Sequence, residues 1–323
     1  MLILKEKKHL LSKPTPLNNL NSFILHQCTM KLPPALALIR PFQWYKNLLV
    51  FLALVFVGDL FNPAHFIRTI LGFISLCAVS SSYYIINDLV DIEADRAHPE
   101  KRSRPLASGR ISKGLACIMS ASLLLLSLAL AYTLSLPFLA IVAVLFLGAL
   151  LYSFALKQEP LIDVLTIGTF FVLRAISGPL ILHISISPWL IICTFFMALF
   201  VALTKRRGDL VLGKKSAQSQ RKVYSFYTLD ILDHLILVFV AVLILSYAFY
   251  CFLTEHAALL ITLPIAVYGL LRYYILARGH PEFARHPHFM FKDTKTVAAL
   301  ILWALLVLFI IYDARALHVL RWG

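Results

Sequence analysis

Residues 114–156 read GLACIMSASLLLLSLALAYTLSLPFLAIVAVLFLGALLYSFAL and contain no charged side chain. A helix needs about 20 mostly apolar residues to cross a bilayer. This run of 43 residues is therefore too long for one membrane span. Pro137, which follows Ser135 and Leu136, predicts a tight turn that divides the run into two helices. The stretch predicts a helical hairpin within a membrane.

The composition of the whole chain agrees with this interpretation. Of its 323 residues, 60% are hydrophobic and 14% are charged, and the mean hydropathy is +0.83. Soluble domains are about 45–50% apolar and about 25% charged. We therefore exclude a soluble globular fold and predict an all-α, polytopic membrane helical bundle.

Seven other segments have the length and apolar character of membrane spans. They lie near 38–58 and at 69–86, 162–182, 187–204, 235–254, 258–276 and 296–313. The segment near 38–58 is the least regular of them, because Arg40, Lys46 and Asp59 crowd it. Together with the two halves of the hairpin, these segments predict nine transmembrane helices.

Lysine and arginine are concentrated in alternate connections between the predicted spans. They occur in 87–113, 205–234 and 277–295, whereas the connections near 59–65, 135–137, 183–187 and 254–257 contain none. The positive-inside rule places the basic loops in the cytoplasm. With nine spans, the N-terminus is then cytoplasmic and the C-terminus is outside. A cytoplasmic (inner) membrane protein is expected.

Residues 1–35 are predicted to form a poorly ordered cytoplasmic extension, since they lack the apolar core of a signal peptide. The five cysteines are scattered and include no CxxC pair, which disfavours a zinc or disulfide framework. The net charge of +14 does not indicate nucleic-acid binding, because no soluble basic domain is present. Membrane topology and anionic ligands explain it more simply.

An acidic motif follows the span at 69–86. It begins with Asn87 and Asp88, and Asp91 and Asp95 follow at a spacing that places three carboxylates on one face of a helix. Like charges at this spacing repel one another unless a cation lies among them, and oxygen ligands alone favour Mg²⁺ or Mn²⁺ over zinc. The three aspartates are candidate metal ligands and catalytic residues, and Asn87 is a candidate for substrate binding that would orient the cluster. The alternative is a solvated acidic turn.

Cationic side chains follow the acidic motif directly, at Lys101, Arg102 and Arg104. Carboxylates that bind a metal and guanidinium groups that bind phosphate oxygens suit a phosphate-rich ligand that contacts both. These three residues are candidates for binding a diphosphate. The alternative is that they only satisfy the positive-inside rule.

Four further residues are candidates for binding an anionic substrate: Lys46, Tyr152, Lys157 and Arg174. Lys46 lies in an aromatic segment at the start of the first predicted span, where cations also serve as interfacial anchors. Arg174 lies within a predicted span, and such a charge indicates a functional site by default. A structural ion pair between Arg174 and Asp163 is the alternative.

The loop after the sixth predicted span begins Lys205-Arg-Arg-Gly-Asp209. One carboxylate among three cations disfavours a second metal site and favours a surface that binds phosphate. Lys205 is therefore a further candidate for substrate binding, with membrane topology as the alternative explanation of its charge.

Taken together, these motifs resemble the UbiA superfamily of intramembrane prenyltransferases, whose first aspartate motif, NDxxDxxxD, matches Asn87, Asp88, Asp91 and Asp95. The chain is most similar to the branch that forms decaprenylphosphoryl phosphoribose. The similarity includes RPxQWxKN at 40–47, HPxKRxRP at 98–105, YSxxLK at 152–157 and LRAxSG at 173–178. It runs in order from about 38 to 313, which makes 36–323 the expected catalytic domain.

The resemblance also has departures. Aromatic prenyltransferases of the superfamily carry a second aspartate-rich motif after the sixth span, but here that loop offers only Asp209 among cations. The decaprenyl-phosphate branch continues this loop with a KRxxEL-like run, and 206–210 differs from it. Asp209 is therefore a weaker candidate than the aspartates of the first motif.

The resemblance implies a magnesium-dependent transferase that moves 5-phosphoribosyl from phosphoribosyl diphosphate to a polyprenyl phosphate. Asp88, Asp91 and Asp95 would bind the metal on the diphosphate, while Lys46, Lys157 and Arg174 would steer the lipid phosphate. Two alternatives stay open: an aromatic prenyltransferase that uses a polyprenyl diphosphate, and a transporter of anionic solutes. The active site is expected to face the cytoplasm. The oligomeric state is undetermined, with a homo-oligomer among the alternatives.

Overall fold

A computed structural model describes residues 32–97, 101–220, 226–254 and 256–313, without the side chains of 213–220. Of the predicted N-terminal extension, residues 1–31 lie outside these ranges. Within them the secondary structure is entirely helical, as the sequence predicts.

In the described part of the chain, eight helical segments are long and apolar enough to cross a membrane. In chain order the helices that form them are α1 (Pro63–Val90), α2 (Lys113–Leu134), α3 (Leu136–Phe154), α4 (Ile162–Leu182), α5 (Pro188–Gln220), α6 (Leu229–Leu253), α7 (Leu263–Gly279) and α8 (Thr294–Tyr312). The span within α5 is Pro188–Leu212, and the span that ends with α7 is Ala257–Gly279, which includes a 3₁₀ helix. Short α-helices occur at Pro34–Ile39, Leu52–Phe56, Ile92–Ala97 and Pro281–Arg285, and 3₁₀ helices at Pro41–Phe51, Lys101–Ser103, Leu156–Gln158, Ala257–Thr262 and Pro287–Lys292.

The predicted hairpin between α2 and α3 is confirmed. The two helices are joined through Ser135, whose hydroxyl accepts a hydrogen bond from the Phe138 backbone N–H at 3.2 Å and donates one to the Leu180 carbonyl at 3.0 Å. Pro137 lies in the first turn of α3, where its missing N–H costs no helical hydrogen bond.

The predicted span near 38–58 is not one helix. Pro34–Ile39, the 3₁₀ helix Pro41–Phe51 and Leu52–Phe56 occupy this region, with Arg40 between the first two in a left-handed conformation at φ 52°. Proline disfavours the α conformation in the residue before it, which explains the interruption ahead of Pro41. The predicted count of nine transmembrane helices is therefore not confirmed.

Paired serines join α1 and α2. The hydroxyl groups of Ser75 and Ser127 each donate to the other residue's carbonyl oxygen, at 2.9 and 2.8 Å, and Ser82 and Ser120 repeat the arrangement two turns away at 2.9 and 3.1 Å. Small residues allow two helices to approach closely in a membrane, and the reciprocal bonds satisfy hydroxyls that apolar side chains surround. This seam fixes α1, which carries the acidic motif.

Helix α5 is longer than predicted, because it continues through residues assigned to a loop. Gly208 packs against Pro281–Arg285 so closely that a Cβ atom there would lie 2.7 Å from the Cβ atom of Ala284. Arg207 pairs with Asp233, and Arg285 Nε lies 3.4 Å from the carboxylate of Asp209. These contacts bring the basic segments together at the end of the bundle that also carries the acidic motif.

A buried ion pair links α4 and α5. Arg206 Nε donates to Asp163 Oδ2 at 2.9 Å, and the Tyr227 hydroxyl donates to Asp163 Oδ1 at 2.9 Å. Burial and the Asp163 carboxylate raise the pKa of Tyr227, so its hydroxyl stays protonated. The suggested pair between Arg174 and Asp163 is therefore wrong, because Arg206 already occupies the carboxylate.

Candidate active site

The acidic motif lies where α1 ends. Helix α1 stops at Val90, Asp91 forms a turn, and a short helix begins at Ile92. The prediction that three carboxylates share one face of a continuous helix is therefore wrong. The turn at Asp91 interrupts the helix between Asp88 and Asp95.

Asp88 and Asp95 converge on the same arginine. Arg104 Nη1 donates to Asp88 Oδ1 at 3.0 Å and to Asp95 Oδ2 at 2.6 Å, and Arg40 Nη2 lies 2.5 Å from Asp88 Oδ1. Both carboxylates are buried, with residue exposures of 3%. Two buried carboxylates that share one partner are stabilised by a positive charge between them, and here the guanidinium groups of Arg104 and Arg40 supply it.

Asp91 has a separate set of partners. The side-chain amide of Asn87 donates to Asp91 Oδ2 at 3.2 Å, and Lys157 Nζ lies 3.7 Å from Asp91 Oδ1. The side-chain amide of Asn87 therefore orients a carboxylate of the motif. Lys157, a candidate for binding an anionic substrate, thus lies beside the acidic cluster.

The acidic cluster is compatible with a hard divalent cation. A single nitrogen atom already lies within 3.0 Å of oxygens from both Asp88 and Asp95, so a cation fits between them. In this conformation, none of the described residues form a group of three His, Cys, Asp or Glu side chains arranged to bind a metal. Asp88 and Asp95 are therefore the residues that would hold a divalent cation, with phosphate oxygens completing its coordination.

Arg174 occupies a buried polar network within the bundle. Its guanidinium group donates to Asn47 Oδ1 at 2.9 Å, to the Phe170 carbonyl at 2.6 Å and to the Tyr83 hydroxyl at 2.8 Å. All three acceptors are neutral, so none of these contacts compensates the positive charge of Arg174. Lys46 is an electrostatic neighbour of Arg174 and Tyr83, so this part of the interior is cationic.

The remaining predicted site residues lie on separate elements. Lys101 and Arg102 lie on a short 3₁₀ helix, with Arg102 exposed. Tyr152 packs edge-on against Phe170, with its hydroxyl 3.5 Å from Arg206. Lys205 is exposed on α5, within a helix rather than the predicted loop.

Three residues of this site were not assigned from the sequence: Arg40, Asn47 and Tyr83. Arg40 and Asn47 are the two ends of the segment at 40–47, which also admitted an interpretation as an interfacial anchor. Tyr83 carried no separate signal, because an aromatic residue in a transmembrane helix is ordinary.

A large apolar cavity adjoins the polar site. Its volume is about 620 Å³, and α4–α8 and the segment around Leu49 line it. It extends from Ser185 and Thr254 to Tyr273 and Thr296 near the basic end of the bundle. Phe171 lines this cavity, and its ring centroid lies 5.9 Å from Arg174 Cζ, so the two sites share a border.

Residues 47–292 match the UbiA prenyltransferase family, and the chain belongs to this family of membrane-embedded transferases. The fold agrees: a UbiA homologue from Archaeoglobus fulgidus, solved with GPP and Mg²⁺, matches 87% of this chain and 100% of its own at a TM-score of 0.67 and 20% identity. That homologue is also known bound to Cd²⁺, at a TM-score of 0.66 over 87% of this chain.

Two named proteins are also similar to this chain in sequence. The decaprenyl-phosphate phosphoribosyltransferase of Mycolicibacterium smegmatis is 33% identical over 229 residues, which are 70% of this chain and 72% of the relative. The enzyme of the same name from Corynebacterium glutamicum is 33% identical over 68% of each chain. The resemblance identified from the motifs is thus confirmed at the level of the family and of its similar members.

Proposed function

We propose that this protein transfers a 5-phosphoribosyl group from phosphoribosyl diphosphate to the phosphate of a polyprenyl phosphate and releases diphosphate. The observation that carries the proposal is the asymmetry of the site. One acidic cluster around Asp88 and Asp95 adjoins a cationic interior, and Asp209 pairs with Arg285 instead of forming a second cluster. One metal-bound diphosphate and one anionic acceptor match this distribution of charge.

On the donor side, Arg40 and Arg104 neutralise the buried carboxylates while no ligand is bound. Asp88 and Asp95, with Asp91 nearby, would hold Mg²⁺ on the diphosphate, and Mg²⁺ there would polarise the leaving oxygen. The guanidinium groups then exchange the carboxylates for phosphate oxygens, to which they bind through charge-assisted hydrogen bonds. Lys157, beside Asp91, supplies a further positive charge.

On the acceptor side, the cavity of about 620 Å³ accommodates part of an isoprenoid chain among apolar walls. A lipid phosphate oxygen attacks C1 of the ribose, the bond from C1 to the diphosphate oxygen breaks, and the configuration inverts. A phosphate ester is already ionised at pH 7, so the attack requires no strong general base. The cationic interior around Arg174 and Lys46 stabilises the negative charge that both substrates bring.

Arg174 acts mainly by positioning in this scheme. Its hydrogen bonds to Asn47, Phe170 and Tyr83 use three of its five N–H groups within the protein. They join the 3₁₀ helix Pro41–Phe51 to α1 and α4. The basic segments at the same end of the bundle support a site on the cytoplasmic side of the inner membrane.

The test is an assay of the purified protein with Mg²⁺, labelled phosphoribosyl diphosphate and a polyprenyl phosphate. A labelled lipid with release of diphosphate is the expected result. Consumption of a polyprenyl diphosphate with an aromatic acceptor, and no labelled lipid from the first mixture, would identify an aromatic prenyltransferase instead. Solute uptake into proteoliposomes without either reaction would identify a transporter.

A further inference from the structure

The end of the apolar cavity nearest the basic segments has a polar rim formed by separate elements. On α5, Met197 and Val201 line the cavity, and Lys205 follows at the same spacing of four residues. Residues four apart lie on the same helix face. Lys205 therefore lies one turn beyond the apolar wall, on the face that lines the cavity.

The 3₁₀ helix Pro41–Phe51 repeats this pattern. Leu49 lines the cavity, and Lys46 precedes it by three residues. A 3₁₀ helix has three residues per turn, so these two side chains lie one above the other. Lys46 thus extends the same wall by one turn in the direction of Arg40 and the acidic cluster.

On α7 the corresponding residue is Tyr273. Its side chain lines the cavity, and its ring centroid lies 5.6 Å from that of Phe200. The residue is only 4% exposed, and no hydrogen-bond partner for its hydroxyl exists within the described parts of the chain. A buried hydroxyl without a partner destabilises the protein unless a ligand uses it.

The 3₁₀ helix Pro287–Lys292 closes the rim. Pro287 and Met290, one turn apart, line the cavity, and the exposed His288 follows Pro287 at its edge, with its ring 5.7 Å from that of His286. Partial desolvation and the nearby His286, Lys292, Lys205 and Lys46 lower the pKa of His288. A neutral imidazole at pH 7 then offers an N–H donor within a strongly cationic rim.

From this convergence we infer that the phosphate of the polyprenyl phosphate binds at the cavity rim, beside the Tyr273 hydroxyl, Lys46, Lys205 and His288. The isoprenoid chain occupies the apolar cavity below. The inference rests on the proposed function for the identity of the lipid. It moves the acceptor phosphate away from Lys157, which contacts Asp91, and makes Tyr273 a residue that distinguishes a lipid phosphate from its alcohol.

Tyr273→Phe is the decisive variant, because it removes one hydroxyl and keeps the ring that packs against Phe200. Tyr274→Phe is its matched control, since that neighbouring hydroxyl accepts a bond from Arg278 at 3.2 Å. The dissociation constants of a polyprenyl monophosphate and of the matching polyprenol are measured with the full chain in nanodiscs. The melting temperature of the ligand-free protein is recorded for each variant.

Loss of a hydrogen bond to a charged group weakens binding of the monophosphate by about tenfold to hundredfold in Tyr273→Phe. We expect unchanged affinity for the polyprenol, an equal or higher melting temperature without ligand, and no effect of Tyr274→Phe. Lys205→Gln weakens monophosphate binding in the same selective way. Equal affinities of wild type and Tyr273→Phe for the monophosphate, or a lower melting temperature of ligand-free Tyr273→Phe, would overturn the inference.

The same variants separate this inference from the proposed function. If phosphoribosyl transfer occurs but its KM for the lipid is unaffected by Tyr273→Phe, the rim is not the acceptor site although the function stands. If the wild type binds the monophosphate through Tyr273 but transfers no phosphoribosyl group, the rim is supported and the proposed reaction fails.

Discussion

Replacing Arg104 with glutamine tests how the ligand-free site is neutralised. Arg104 Nη1 contacts both Asp88 and Asp95, whose side chains are 3% and 5% exposed. Removal of one partner from a buried ion pair costs roughly 3–5 kcal/mol. Because the side chain of Arg104 is 28% exposed, solvent screening places the expected cost at the lower end, about 3 kcal/mol.

Loss of Arg104 should raise the affinity of the two carboxylates for a divalent cation, and a binding experiment can detect this change. In the wild type a divalent cation must displace Arg104 from the two carboxylates, whereas in Arg104→Gln it does not. About 3 kcal/mol corresponds to about a hundredfold change in affinity, so the variant should bind Mn²⁺ alone up to about a hundredfold more tightly. The variant also lacks a guanidinium for the diphosphate, so added diphosphate should enhance Mn²⁺ binding about tenfold less than in the wild type.

Electron paramagnetic resonance of free Mn²⁺, measured with and without diphosphate, gives both affinities without any turnover. Arg96→Gln is the control, because Arg96 forms a largely exposed pair with Glu93 at 2.9 Å, and such pairs contribute little. An Arg104→Gln protein that binds Mn²⁺ alone no more tightly than the wild type would refute the exchange of partners. Absence of Mn²⁺ binding to the wild type even with diphosphate would refute the metal site itself.

Three further predictions concern the acidic motif and two structural ion pairs. Asp91→Ala should abolish metal-dependent transfer of labelled phosphoribosyl to lipid, because Asp91 is proposed to help Asp88 and Asp95 hold Mg²⁺. A rate near that of wild type would contradict this role in metal binding. Asp163→Asn should cost roughly 3–5 kcal/mol, measured as loss of thermal stability, because it removes the charge of the buried carboxylate that Arg206 contacts at 2.9 Å; an unchanged melting temperature would contradict this. Hydrogen bonds from Arg272 and Thr296 hold the pKa of Asp293 well below its usual range. Its stabilisation is therefore complete above the unfolded pKa of about 3.9 and is lost as pH falls through the folded value, so the melting temperature of Asp293→Asn should approach that of wild type only below about pH 4.

Those parts of the fold that depend on a local sequence pattern could be predicted from the sequence. The turn at Ser135 and the bounds of α4 at 162–182 follow from hydropathy and proline position alone. The end of α5 could not be predicted in this way. Lysine and arginine after residue 204 read as a loop, but both are good helix formers, and Pro281–Arg285 packs against this stretch of the helix.

The sequence indicated which residues form the candidate site, but not which of them contact one another. Asp88, Asp95 and Arg104 were all identified as site residues, yet their spacing suggested a helix face that the turn at Asp91 interrupts. Arg40 reads equally well as an interfacial anchor, and its contact with Asp88 spans 48 residues of sequence. Such a contact leaves no periodic pattern along the chain.

The sequence by itself determined that 114–156 forms a hairpin in a membrane, and it identified the acidic motif and the family. Hydropathy over about 20 residues and the spacing of carboxylates are properties of contiguous chain, so they can be read without a fold. Only the tertiary structure decided that Arg174 joins Asn47, 127 residues away, that Asp163 belongs to Arg206, and that several elements place polar side chains at the end of one apolar cavity. These pairings depend on which helices pack together, and the packing of mutually apolar helix faces is not encoded by the pattern of any single helix.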